Sequence, residues 1–389
     1  MKYNIWNKWD PLRVCMLGNN YAPEFFDGIP DKAGDPLKRI CEETLEDLEG
    51  FKNILEDFGV KVIQPEIDSS ERFRDNPGPY PRGPLQPRDA QIVIGNTCFT
   101  RDKDNPTTVR YTRHNDHPAI AQALVKYCQL NTVFTRDLKL PEYKYNEVAC
   151  FVSGDWPTYE DYISGVELKD FVKKEIDVLE FDSFPISSAS SFLLDDRLVI
   201  GGTHDGIKDA KVSIQNLIKF YTGKDIVVEF APMDGHSDGN FHPIKPGVII
   251  SLEDVQNYTE TFPGWEICYL PDQSWSKIEP FLMLRKKNKG KWWLPGEEDN
   301  DEFINFVETW LQDWVGYVEE TVFDVNVLVL DEHHVCVSNP NNEQVNKFLK
   351  RHNMEPVYVP WRHRYFWDGG LHCITLDLYR EGKINARKR

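Results

Sequence analysis

The run VNVLVLDE (325–332), HHVCVSN (333–339), NNEQVNKFLKRHN (341–353) and EPVYVP (355–360) contains one complete structural unit of the chain. Its first two pieces are apolar alternating segments joined by a short polar turn, which reads as a β-hairpin. The third places Val345, Phe348 and Leu349 at helical spacing, so it reads as an amphipathic helix, and the fourth is a strand again. The unit is therefore strand, turn, strand, helix, strand.

Working outward, the same order recurs at SFLLDDRLVIGG (191–202), KVSIQNLIKFY (211–221) and DIVVEFAP (225–232). It recurs from QIVIGNTCFTRD (91–102) through HPAIAQALVKYC (117–128) to NTVFTRD (131–137), and from NFHPIKPGVIIS (240–251) to WEICYLP (265–271). A fifth copy runs from PLRVCMLG (11–18) through a helix around LEDLEGFKNILEDFG (45–59) to VKVIQP (61–65). Like units either stack as a solenoid or close into a ring, and a ring hides its sheet edges without capping repeats. Both chain ends look like ordinary pieces of the unit. The expectation is a single domain over residues 1–389, a five-bladed α/β propeller of ββαβ modules whose axis forms a central active-site channel.

Two stretches interrupt the pattern, 138–187 and 272–322. Within the second, the basic run from Arg285 to Lys291 reads as a solvated surface insertion. Phe303, Phe306, Val307, Trp310, Leu311 and Trp314 then form a helical stripe expected to join the core. The closing INARKR reads as a disordered tail.

Forty per cent of the 389 residues are hydrophobic, enough for a full core, and the formal net charge is −18. That charge repels a phosphate backbone and an anionic membrane, so neither nucleic acid nor membrane is an expected partner. The N-terminus has no apolar leader, and no window reaches the length of a membrane span, so a cytoplasmic location is expected. Eight scattered cysteines without a C-x-x-C pair read as reduced thiols. A homodimer is an assembly left open, and no cofactor or metal is called for.

Three module exits carry chemistry. WDGGLHCITLDLYREG (367–382) sets Cys373 just after Gly369 and Gly370, where paired glycines let a backbone approach a ligand. PMDGHSDGNF (232–241) offers His236 and Asp238, which share a face if the segment is extended. GPLQPRDAQIVIGN (83–96) places Asp89 just ahead of a strand. Equivalent exits of a ring lie at one end of its channel, so these groups are expected to converge. A thiolate nucleophile, an imidazole acid/base and carboxylates that grip a planar cation suit attack on a guanidinium carbon.

With these segments in hand the chain resembles the amidinotransferase branch of the guanidine-modifying enzymes, which includes glycine and inosamine-phosphate amidinotransferases. WDPLRV (9–14), PRDAQIVIGN (87–96), GHSDGNFHPIKPGVIIS (235–251), VNVLVLDEHHV (325–335) and DGGLHCITLDLYREG (368–382) carry the likeness. The resemblance implies a five-bladed α/β propeller and transfer of an amidino group from an arginine-like donor to an amine. It implies Cys373 as the nucleophile that becomes amidino-cysteine, His236 as acid/base, and Asp89 and Asp238 as guanidinium holders. It also makes Asn326, His372 and Gly370 substrate-pocket candidates.

The chain departs from the family pattern in two places. Family members carry an acidic segment before the hairpin that here reads PISSASSFLLDDRLVIG (185–201), which puts Ser188 and Ser191 at those positions. Asp195 and Asp196 follow in the hairpin turn, where solvent exposure is expected. SLEDVQNYTE (251–260) lacks the arginine that receives a substrate carboxylate in the family. Three other readings stay open: a deiminase-type hydrolase with water as acceptor, a propeller that binds a ligand without turnover, and a metal protein using His333, His334 and Cys336.

Overall fold

The computed structural model describes residues 1–75, 82–100, 117–135, 138, 145–152, 174–181, 186–201, 208–231, 236–252, 258–270, 273–311, 314–315 and 324–384. Five three-stranded sheets dominate it. Four follow the repeat directly. Ile92–Ile94 pairs antiparallel with Thr97–Thr100, which pairs parallel with Thr132–Phe134. Ser191–Leu194, Arg197–Gly201 and Val227–Ala231 do the same, as do Phe241–Lys245, Val248–Ser251 and Glu266–Tyr269. Leu328–Val329, His334–Val337 and Glu355–Tyr358 form the fourth. A parallel pair needs a crossover, and helices Pro118–Cys128, Lys211–Thr222 and Glu343–Arg351 supply it, while among the described residues the third sheet's crossover contains the helical turn Tyr258–Thr261.

The fifth sheet joins the two ends of the chain. Thr375–Arg380 pairs antiparallel with Leu12–Leu17, which pairs parallel with Lys61–Ile63. The first module thus borrows its hairpin partner from the last strand. Asn4 N–H to Leu378 O (3.1 Å) and Arg380 N–H to Asn4 O (2.8 Å) extend the join.

Alternate residues of the central strands enter different cores. Cys15 and Leu17 join a cluster with Leu328, Leu330 and Cys336, while Met16 joins one with Ile92, Leu193 and Ile200. Phe192 and Val199 face a third cluster with Phe241, Ile249 and Val335. Each sheet therefore shares a buried cluster with the sheets before and after it in the chain, and the last shares one with the first. Burial on both faces is why these strands read as continuous apolar runs.

Several expectations are corrected. The first helix spans Asp31–Asp57 rather than beginning near 45, with Gly34 and Pro36 buried in its early turns. Residues 285–287 end a helix, Trp275–Lys287, rather than lying in a loop, although Lys287 and Lys291 are exposed as expected, and the following Trp293 and Leu294 are core. Helix Asp301–Trp310 packs with them through Phe303, Phe306 and Val307. The other interruption contains an antiparallel pair, Tyr145–Val152 with Lys174–Phe181. Asp195 and Asp196 are half-buried, and Asp195 accepts a hydrogen bond from Asn7 Nδ2 at 3.2 Å. Ile384 packs against the core, whereas 385–389 lie outside the described residues. Among the described residues no helix is long and apolar enough to cross a membrane.

One polar group crosses this apolar frame. Asp377 lies between Leu376 and Leu378 but faces away from their cluster, and it is 1% exposed. Its carboxylate accepts from Arg380 Nε (3.0 Å) and meets Arg88 Nη2 (3.4 Å) and Lys8 Nζ (3.5 Å). Burial alone would raise its pKa, but Arg380, Lys8 and Arg88 outweigh that and hold it well below the carboxylate range. Burial lowers Lys8 to about 8 even against the pull of Asp377.

Removing the anion leaves three buried cations facing one another, so Asp377→Asn should cost about 3–5 kcal/mol of stability in urea unfolding. A depressed carboxylate stabilises the fold above its unfolded pKa of about 4 and loses that contribution as pH falls through its lower folded value. The parent should therefore lose stability more steeply than the variant below about pH 4. A cost under about 1 kcal/mol would contradict the role given to Asp377.

Candidate active site

Cys373 sits in a tight turn between the short helix Arg364–Trp367 and the last strand. Asp368 is left-handed (φ 47°), a strained conformation for a residue other than glycine, and Gly369 follows at φ 143°. A Cβ on Gly370 would lie 2.6 Å from Asn326 Oδ1, so only glycine allows this approach. Ile374 N–H donates to Gly370 O (3.3 Å), and the Thr375 hydroxyl donates to Leu371 O (3.0 Å). From the carbonyl side, Arg88 Nε donates to His372 O (2.6 Å) and Thr375 O (2.8 Å). The arginine bound to Asp377 thus also braces the cysteine turn.

The sulfur is fully buried and meets two other modules. Asn326 Nδ2 donates to Cys373 Sγ at 3.0 Å, and the thiol lies 3.8 Å from Asp238 Oδ2. Asp238, also fully buried, accepts from His372 Nδ1 at 2.7 Å. Burial first, then Arg88, His242 and Lys8, hold His372 well below its usual pKa. The neutral ring is thereby favoured, with its Nδ1–H directed at Asp238 Oδ2. His242 packs edge-on against it, ring centroids 4.6 Å apart, and burial likewise holds it far below its ordinary value.

His236 is half-buried and caps the 3-10 turn Ser237–Gly239 rather than lying in a strand. This corrects the extended reading. Gly239 N–H and Asn240 Nδ2 both donate to His236 O, at 3.3 and 2.7 Å, so the backbone curls and residues 236 and 238 do not share a face by strand periodicity. Asp238 turns inward to the thiol.

Asp89 stands in the turn before Ile92–Ile94, paired with Arg82 at 3.6 Å. Arg82 also donates to Trp367 O (3.1 Å) and to Gln86 Oε1, while Gln86 Nε2 bonds Asp368 O. These two side chains tie the Asp89 turn to the strained approach to Cys373. Ser188 is buried, and its N–H donates to Gln91 O (2.9 Å). The neighbouring Ala189 O and Ser190 O receive Asp238 N–H (3.2 Å) and the Ser237 hydroxyl (2.7 Å). The Ser191 hydroxyl donates to Ser187 O at 2.6 Å, so it serves the turn locally.

Cys373, Asp238, His372 and Asn326 are thus in direct contact, and the Asp89, Ser188 and His236 segments are bonded to this centre through backbone and neighbouring side chains. The sequence reading did not single out Lys8, Arg88, His242, Gln86 or Arg82. A signal existed for the inner group: Asp377 and Arg380 interrupt an apolar strand, the mark of a buried pair. Among the described residues no group of three or more His, Cys, Asp or Glu gathers as a metal site.

The chain is 25% identical over 367 residues to the L-arginine:L-lysine amidinotransferase of Pseudomonas savastanoi pv. phaseolicola, covering 92% of this chain and 84% of that protein. It is 24% identical over 410 residues to the mitochondrial glycine amidinotransferase of Xenopus tropicalis, covering 98% and 83%. The solved inosamine-phosphate amidinotransferase of Streptomyces griseus superimposes with a TM-score of 0.57 at 16% identity, covering 98% of both chains. No protein-family model matches the chain. Over nearly its whole length, therefore, the chain is similar in sequence to amidinotransferases, which are transferase enzymes, and it shares their fold.

Proposed function

We propose that the chain is an amidinotransferase, a single catalytic domain that moves an amidino group from an arginine-like donor to an amine through Cys373. The observation that carries this reading is the meeting of three modules at one sulfur: Cys373, the Asn326 donor at 3.0 Å and the Asp238 carboxylate at 3.8 Å. The shared clusters between successive sheets, and between last and first, support a closed five-bladed propeller with this centre at its axis.

In the proposed reaction the Cys373 thiolate attacks the guanidino carbon, forming a C–S bond. His236 protonates the leaving nitrogen, the C–N bond breaks, and the donor departs as an amine. His236 then takes a proton from the acceptor amine, whose nitrogen attacks the amidino-cysteine and expels the thiolate. Asp238 and Asp89 hold the planar cation. Asp89 already carries the Arg82 guanidinium, so a donor guanidinium must share or displace it.

With serines in place of an acidic segment, the donor's cation meets fewer anions here than in the family pattern. A neutral hydroxyl gives neither the energy nor the bidentate orientation of a carboxylate. Arginine and glycine should therefore be a poor pair, with kcat/KM below about 10⁴ M⁻¹s⁻¹, and another donor or acceptor should be preferred. Product analysis with arginine and a panel of amines, including glycine and lysine, checks this. A new guanidino compound together with ornithine fits transfer, citrulline marks the hydrolase, and no turnover with any pair favours ligand binding alone.

Burial pushes the thiols of Cys15 and Cys41 up to about 12 and that of Cys268 to about 11, so all three stay protonated at neutral pH. Cys373 has a side-chain donor, Asn326 Nδ2 at 3.0 Å, aimed at its sulfur from a neighbouring module. Iodoacetamide at pH 7.5, followed by peptide mass mapping, should label Cys373 at least about tenfold faster than those three. Equal labelling would count against a nucleophilic role.

A further inference from the structure

Resting on the reading of Cys373 as nucleophile, we propose that Asn326 is a positioning residue that fixes the cysteine turn and presents a hydrogen-bond donor to its sulfur, rather than a substrate ligand. Its carboxamide is fully engaged by the protein. Oδ1 accepts from His372 N–H (2.9 Å) and Cys373 N–H (3.2 Å), while Nδ2 donates to Cys373 Sγ (3.0 Å) and Asp238 O (3.3 Å).

The orientation of the amide follows from its partners. Two backbone N–H groups are obligate donors, so the atom facing them is the oxygen, and the nitrogen necessarily faces the sulfur and a carbonyl. A flipped amide would set N–H against N–H twice. Asn326 is 4% exposed and its oxygen stands where a Cβ of residue 370 would go, which leaves no room for a substrate group between it and the turn.

An N–H aimed at sulfur favours the charged form, because a donor to an anion binds more strongly than a donor to a neutral thiol. It also offsets the opposing effect of Asp238, whose carboxylate lies 3.8 Å from the same sulfur. The geometry gives Asn326 two separable duties, holding the turn and keeping the thiolate accessible near neutral pH. Arg88 braces the carbonyl face of the same turn, so a purely structural loss at Asn326 is partly compensated, whereas among these contacts the donor to sulfur comes from Asn326.

The test is a titration that needs no substrate. Thiolate absorbance near 240 nm is followed against pH in the parent and in Asn326→Ala, each with its own Cys373→Ser version as blank. The midpoint assigned to Cys373 should rise by at least about one unit in Asn326→Ala, a tenfold loss of thiolate at pH values below both midpoints. If that variant does not fold, Asn326→Ser is titrated in its place with the same expectation. A folded variant whose curve superimposes on the parent's overturns the proposal, whatever its melting temperature. Failure of amidino transfer would leave this titration readable, so the two readings fall separately.

Discussion

Asp377 is the constraint on which the rest of the structure depends. Its carboxylate, 1% exposed, gathers Lys8 from the start of the chain, Arg88 from the approach to the first repeated hairpin and Arg380 from its own last strand. The first sheet is built from both ends of the chain, and this cluster is where those ends are joined electrostatically. Arg88 then reaches from the cluster to the carbonyls of His372 and Thr375, so the arginine that neutralises Asp377 also shapes the turn that carries Cys373. The join between the chain ends and the geometry of the cysteine turn share one side chain.

The chemistry of the site follows from its position over this cationic floor. Lys8, Arg88 and Arg380 exceed the charge of Asp377, and together with burial they keep His372 and His242 neutral. A neutral His372 acts only as a donor to Asp238, fixing a carboxylate that is buried and close to sulfur. At the sulfur itself the Asn326 N–H at 3.0 Å favours thiolate and the Asp238 carboxylate at 3.8 Å opposes it. A thiolate suits a step in which an anion attacks a planar cation and re-forms later.

The modules were legible because their strands are buried on both faces. Runs such as VNVLVL, FLL and RLVIG need no partner information to be recognised, and the Val345, Phe348, Leu349 stripe marks its helix. TLDLYR was harder, since Asp377 and Arg380 break the apolar pattern for a reason that lies 289 residues away in Arg88. The early turns of helix Asp31–Asp57 were hidden by Gly34 and Pro36, which read locally as loop and are accepted because both are packed against the core. At the candidate site, Cys373 and Asp238 were singled out from their segments and Asn326 from the family resemblance. The pairing of His372 with Asp238 was not, because no local pattern encodes which side chains of different modules meet.

In the proposed reaction Cys373 forms a covalent bond to the amidino carbon before the acceptor arrives. Rapid mixing with a guanidino donor in the absence of amine, followed by acid quench, intact-mass measurement and peptide mapping, tests it directly. A mass gain of one amidino group is expected on the peptide containing Cys373, discharged when an amine acceptor is added. Turnover by a Cys373→Ala variant, or product formation with the amidino group on any other residue, would contradict it.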